Sequence, residues 1–195
     1  MDARSKEFNN LKIHTQYSIC EGAIKIDELA EYCKKNKIRA LGLADSYNLC
    51  GALEFAEKIS KAGTQPIIGT QINILSDNQI GKITLYATSD KGYKNLTKLS
   101  SKSYLRNKKF NDPYCEIDDL ISNNEDIILL TGNYSNFFGR LFYANKLKLI
   151  EKLISKLKSS FNDRLYIEIQ RHKETQEINF ENYLLKLSTS NNLPL

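Results

Sequence analysis

Short apolar runs alternate with amphipathic stretches along most of the chain, and that alternation predicts strands and helices in turn. NLKIHT (10–15) reads as a strand. KIDELAEYCKKNK (25–37) reads as a helix with Ile26, Leu29, Ala30 and Cys33 on one face. Its first turn carries Asp27 and Glu28 and its last Lys34, Lys35 and Lys37, the order a helix dipole favours. ALGLA (40–44) is a fully apolar strand. GALEFAEKISKAG (51–63) is a second helix, with Gly63 as its C-cap glycine. Strands follow at QPIIGTQINI (65–74) and KITLYATS (82–89), then a helix over about 91–104. EIDDLISN (116–123) predicts a short helix, DIILLTG (126–132) a buried strand, and NFFGRLFYAN (136–145) a helix. KLKLIEKLISKLKSSF (146–161) is another, striped by Leu147, Ile150, Leu153, Ile154 and Leu157. RLYIEIQ (164–170) is a sixth strand and INFENYLLKLSTSNN (178–192) a last helix. The closing LPL (193–195) reads as the entry to a seventh strand.

Apolar strands alternating with amphipathic helices predict parallel βαβ units. An open doubly wound sheet and a closed barrel both fit the pattern. Either places functional side chains at the C-terminal ends of strands. The residues selected by that rule are His14 and Thr15, Glu21, Asp45 and Ser46, Gln71, Asn133 and His172. A hydrolytic metal centre needs several His, Asp or Glu groups converging on each ion, and only two histidines are available. Taken alone, His14 reads as a hydrogen-bonded histidine at a strand end and Asp45 as a turn cap in DSYN.

Composition narrows the picture further. A formal charge of +5 permits contact with nucleic acid without demanding it. Apolar runs are too short to span a membrane, and the opening MDARSKEFNN lacks a signal peptide's apolar stretch, so a cytoplasmic protein without membrane partners is expected. Cys20, Cys33, Cys50 and Cys115 show no C-x-x-C spacing and read as reduced, mostly buried thiols. Phosphate-binding glycine loops and the G-x-S-x-G elbow are absent. SKSYLRNKKF (101–110) interleaves Lys102, Arg106, Lys108 and Lys109 with Tyr104 and Phe110, a composition suited to nucleic-acid contact.

Four phrases, in order and at consistent spacing, carry a resemblance: HTQYSICEGA, LADSYNLCGALEFAEKISKAGTQPIIG, GYKNLTKLSSKSYL and RLYIEIQRH. They resemble the N-terminal polymerase-and-histidinol-phosphatase (PHP) domain of bacterial replicative DNA polymerase III alpha subunits, from Phe8 to the last residue. The resemblance implies an α/β fold, a distorted seven-stranded (β/α) barrel, TIM-like, cut off here at the start of its last strand. It implies that residues 1–195 are one PHP domain, the N-terminal fragment of a much larger polymerase subunit.

The resemblance also implies a remnant metal site. Lys12 stands where active relatives carry the first histidine of an H-x-H pair, and His14 where they carry the second. Glu21 stands for an aspartate, Ser46 for a histidine after Asp45, Gln71 for an acid, Lys82 for a histidine and Asn133 for a cysteine. His172 matches a histidine of this polymerase branch. No bound metal, cofactor or catalytic residue is therefore expected in the fragment, and the Lys12 ammonium is expected to pair with Asp45 or Glu21 in place of an ion. Magnesium belongs to the palm of the parent polymerase, a nucleotidyltransferase, so the fragment alone is expected to be inactive. The implied role is in DNA replication, as a scaffold and docking surface for the proofreading exonuclease, with DNA bound through the parent. The alternative is a metal-dependent phosphoesterase or 3'-5' exonuclease working with a partial metal cluster.

Overall fold

The computed structural model describes residues 8–105 and 112–195. They form six strands and seven α-helices: α1 (Ile26–Asn36), β1 (Ala40–Ser46), α2 (Ala52–Lys61), β2 (Gln65–Ser76), β3 (Gln79–Ala87), α3 (Asp90–Leu105), β4 (Tyr114–Glu116), α4 (Ile117–Ser122), β5 (Ile127–Leu130), α5 (Phe137–Tyr143), α6 (Leu147–Phe161), β6 (Leu165–Tyr166) and α7 (Thr175–Asn191). The chain divides into two compact units, one ending at Thr70 and the other running from Gln71 to Leu195.

In the first unit, β1 is buried over its whole length, as its apolar sequence requires. Ile13, Ile26, Leu29, Cys33, Leu41, Leu43, Phe55 and Ile59 form its core. Each such side chain contributes about 1.5–3 kcal/mol when fully buried. Gly63 takes φ +83° just beyond α2, the left-handed conformation expected of a C-cap glycine. The predicted strand at 10–15 is reduced to two isolated parallel bridges, Ile13 to Leu43 and Thr15 to Ile24. The reason lies in its donors. Lys12 N–H goes to the Asn10 side chain at 3.1 Å, and Thr15 N–H goes to the Asp45 carboxylate at 2.6 Å. Ladder hydrogen bonds survive around Ile13, whose N–H donates to Gly42 and whose C=O accepts from Ala44. Gly42 permits that close approach, because a Cβ there would lie 2.1 Å from the Leu11 carbonyl oxygen.

In the second unit, β2 turns into β3 through Asp77 and Asn78, both at positive φ (49° and 58°). Two consecutive left-handed residues mark the hairpin turn whose twist matches its strands. β3 pairs antiparallel with β5, while β5–β6 and β2–β4 are parallel. The expectation of parallel βαβ units throughout is therefore corrected to a mixed sheet. Asp-Asn between two apolar runs was the local signal for it. α4 begins with a capping box between Glu116 and Asp119, and α7 with one between Glu174 and Glu177, which starts that helix at Thr175 rather than at 178.

Closure into a seven-stranded barrel is not formed by the described residues. Hydrogen bonds order the strands β1-β2-β3-β5-β6, with β4 beside β2, and the order does not return on itself. Segment 10–15 is too weakly paired to count as a strand and β6 has only two residues. Of residues 193–195, Pro194 accepts from Ile167 N–H at 2.9 Å, while Leu193 bonds back to Ser188 of α7. Among the cysteines, Cys33 and Cys115 are buried but Cys20 and Cys50 are exposed, so half of the thiols depart from the burial expected.

Candidate functional site

Asp45 is the penultimate residue of β1, fully buried, and its carboxylate is the hub of the first unit's polar cluster. One oxygen, Oδ1, accepts from Thr15 N–H at 2.6 Å and from Ser18 O–H at 2.7 Å. The other, Oδ2, accepts from Thr15 O–H at 2.7 Å. Ser18 Oγ also meets His14 Nδ1 at 3.3 Å and accepts from Ser46 N–H at 3.1 Å. The Ser46 hydroxyl donates to Glu21. The sequence folds this way locally because the run from Thr15 to Gly22 turns on itself, with Ser18 N–H on the Thr15 carbonyl and Gly22 N–H on the Ser18 carbonyl. Gly51 stays bare of a side chain for the same cluster, since a Cβ there would sit 2.6 Å from the Tyr17 ring and 3.2 Å from Asp45.

His14, Glu21, Asp45 and Ser46, four of the residues selected from sequence, are thus joined through Ser18, which sequence reasoning passed over. Its signal was the hydroxyl spacing Thr15-x-x-Ser18 in a polar turn. Of the two acids expected to pair with Lys12, Asp45 and Glu21, Asp45 does not: its carboxylate is occupied by amide and hydroxyl donors. A nucleophilic triad is also excluded by the order of groups. In such a triad the histidine stands between acid and serine. Here the serine stands between acid and histidine, with its hydroxyl donating to the carboxylate and its side chain fully buried.

Beside this hub, the Tyr17 hydroxyl donates to Glu54 at 2.7 Å, and Lys58 bridges Glu54 at 2.7 Å and Asp27 at 2.5 Å. The lysine, then the tyrosine hydroxyl, hold the Glu54 carboxyl below its usual range. Hydrogen bonding to that carboxylate pushes the Tyr17 phenol up. Asp27, then Glu54, hold the Lys58 ammonium above the ordinary lysine range.

The second unit holds two further groups of selected residues. Gln71 is buried and donates to the Thr84 hydroxyl at 3.0 Å. Lys82 is half-buried on β3. Asn133, just beyond β5, donates to the side-chain oxygen of Gln170, beyond β6, at 2.8 Å, and His172 Nε2 lies 3.2 Å from the same atom. The Gln170 amide donates to Glu168, whose backbone N–H donates to the Thr131 hydroxyl at 3.0 Å. Burial, and then the Glu168 charge, push the Tyr86 phenol far up. Gln170 was missed from sequence, although it lies two residues from His172 in an extended stretch. Of the basic run, Lys102 pairs with Asp119 at 3.2 Å, while Arg106, Lys108 and Lys109 lie outside the described residues.

The metal that the resemblance brings with it can be tested against these groups. Among the described residues no three His, Cys, Asp or Glu side chains gather where one ion would be held. Asp45 has turned its oxygens inward to three donors, and Ser46, Gln71 and Asn133 are spent on hydrogen bonds within the chain. These donors are engaged with neighbouring side chains and amides of the same chain.

Comparison with known proteins places this geometry. The PHP domain family matches residues 10–172. The chain belongs to the PHP family. The PHP chain is 35% identical over 190 residues to the DNA polymerase III subunit alpha of Rickettsia felis, covering 97% of this chain and 16% of that one. It is 32% identical to the same subunit of Caulobacter vibrioides, covering 100% of this chain and 18% of that one. Against Escherichia coli the identity is 30% over 191 residues, covering 96% and 16%. The chain thus spans less than a fifth of the length of these relatives. Among solved structures, a protein described as a metal-dependent phosphoesterase from Bifidobacterium adolescentis superposes with TM-score 0.60 at 12% identity, over 95% of this chain and 84% of that one. An amidohydrolase from Chromobacterium violaceum, with bound sulfate and no metal, gives TM-score 0.60 at 10% identity over the same shares. At such identities the likeness is one of fold. No helix among the described residues is long and apolar enough to cross a membrane.

Proposed function

We propose that this chain acts as the PHP portion of a cytoplasmic replicative polymerase alpha subunit, holding shape and docking the proofreading exonuclease rather than hydrolysing phosphoesters. The observation that carries the reading is identity to alpha subunits of 30–35% along nearly the whole chain. The degenerate metal site is the finer part of the reading. It is supported by the inward use of Asp45 and by neutral or cationic residues at positions where the resemblance expects ligands, namely Lys12, Ser46, Gln71, Lys82 and Asn133. Polymerisation and its magnesium belong on this reading to the rest of the parent protein.

The test combines binding with elemental analysis. Mixed with the purified proofreading exonuclease of the same cell, the chain should elute as a 1:1 complex in gel filtration. Purified without chelator, it should carry well under one equivalent of zinc, manganese or iron. Two or three tightly held ions together with metal-dependent phosphodiester hydrolysis would overturn the reading in favour of the phosphoesterase.

A further inference from the structure

The charges of the first unit are segregated. Glu21, Asp45, Glu54, Asp27 and Glu28 sit where β1 ends and where α1 and α2 begin. Lys34, Lys35, Lys37, Arg39 and Lys61 gather at the other end, where both helices finish. Hydrogen bonds bring the two helix ends together: Thr64 O–H donates to the Ile38 carbonyl at 2.7 Å, and Gln65 N–H to the Arg39 carbonyl at 2.8 Å. All five cations are exposed. Lys34, Lys35, Lys37 and Lys61 have no acidic partner among the described residues. That includes Glu31 and Glu57, which stand one helical turn before Lys35 and Lys61 and yet pair with neither.

Favourable placement at helix ends accounts for part of this cluster. Each helix C-terminus supplies roughly half a negative charge. Against these five cations, two such ends and two glutamates still leave about two positive charges in excess. Their chemistry suits phosphate more than protein, because lysine is depleted from protein interfaces and is a common donor to nucleic-acid phosphates. The cluster also lacks the apolar residues that lasting attachment to a lipid surface needs. We infer that this end of the first unit binds the backbone of duplex nucleic acid, without reading its sequence. The site goes beyond the proposed docking role and does not depend on it.

The test is a fluorescence anisotropy titration of the whole chain with a mixed-sequence DNA duplex across a salt series. Four phosphate contacts give a log–log slope of about −3.6, hence a loss of about 100-fold between 50 and 200 mM salt. Combining Lys34→Gln, Lys35→Gln, Lys37→Asn and Lys61→Gln should weaken binding at least about 30-fold at low salt and flatten that slope by about 3. Lys37 takes asparagine because it sits in the left-handed C-cap conformation, at φ 53°. A Lys148→Gln, Lys152→Gln pair on α6 should leave both quantities unchanged. The pair Lys34→Glu, Lys61→Glu gives a second reading should the fourfold variant fold poorly, and should abolish measurable binding. Unchanged affinity and slope in the folded variants would overturn the inference. So would tighter, cluster-dependent binding to polyglutamate or to phosphatidylserine vesicles than to the duplex at equal salt.

Discussion

Two polar clusters sit beyond strand ends in this molecule, and they are built on opposite plans. The Asp45 cluster is buried, with Thr15, Ser18 and Asp45 all at 0% exposure, and three donors converge on one carboxylate. The Gln170 cluster is half-buried to exposed. It is a chain of amides ending at His172, in which each group has water as an alternative partner. A buried charge tolerates no loose partner, since stranding a donor or acceptor there costs about 1–3 kcal/mol. An exposed amide chain loses little when one link is cut. The same family scaffold thus carries one cluster that fixes the fold and another that decorates it.

The sharpest way to break the comparison is Asp45→Ala. It strands three buried donors, and we expect a loss of about 3–5 kcal/mol in urea unfolding. A loss under about 1 kcal/mol would place the two clusters on an equal footing. Ser18→Ala comes next. It removes one donor to the carboxylate and the acceptor of Ser46 N–H, for an expected loss of about 1.5–3 kcal/mol. Gln170→Ala should cost less than about 1 kcal/mol by the same measurement, because Asn133 and His172 turn to solvent. A larger loss would show that the second cluster is structural as well.

The smallest effect concerns pH. The Glu54 carboxyl is lowered in the folded protein by Lys58 and Tyr17, so its contribution is fully present above its ordinary value of 4.5 and fades as pH falls through the folded value. Lys58 is raised, so its share persists below 10.5 and fades only as pH rises beyond. Comparing Glu54→Gln with the unaltered chain in thermal melts should therefore show the gap between them closing below about pH 4. A gap that is constant from pH 7 to 3 would remove Glu54 from the linkage.

Most helices were legible in the sequence to within two residues, α7 starting three residues earlier than predicted. α6 fills 147–161 against a predicted 146–161, because an apolar stripe of period 3.6 has one way to be buried. Family membership was legible as well, in phrases such as LADSYNLCGALEFAEKISKAG that keep their order along the chain. Asp45, His14, Glu21 and Ser46 were recognisable as one strand-end group. Ser18 was not, since a serine in a polar turn looks like any solvated hydroxyl until the fold buries it.

Pairing, by contrast, was decided only in three dimensions. A period-two or continuous apolar run reads the same whether its neighbour runs parallel or antiparallel, so the β3–β5 pairing had no signature in either strand alone. Segment 10–15 has the apolar spacing of a strand, but the Asp45 carboxylate, thirty residues away, captured the Thr15 amide that a ladder would have used. Local sequence fixes which face of an element is apolar. Competition among distant donors for one buried charge fixes whether that element becomes a strand at all, and here that competition also turned Asp45 inward.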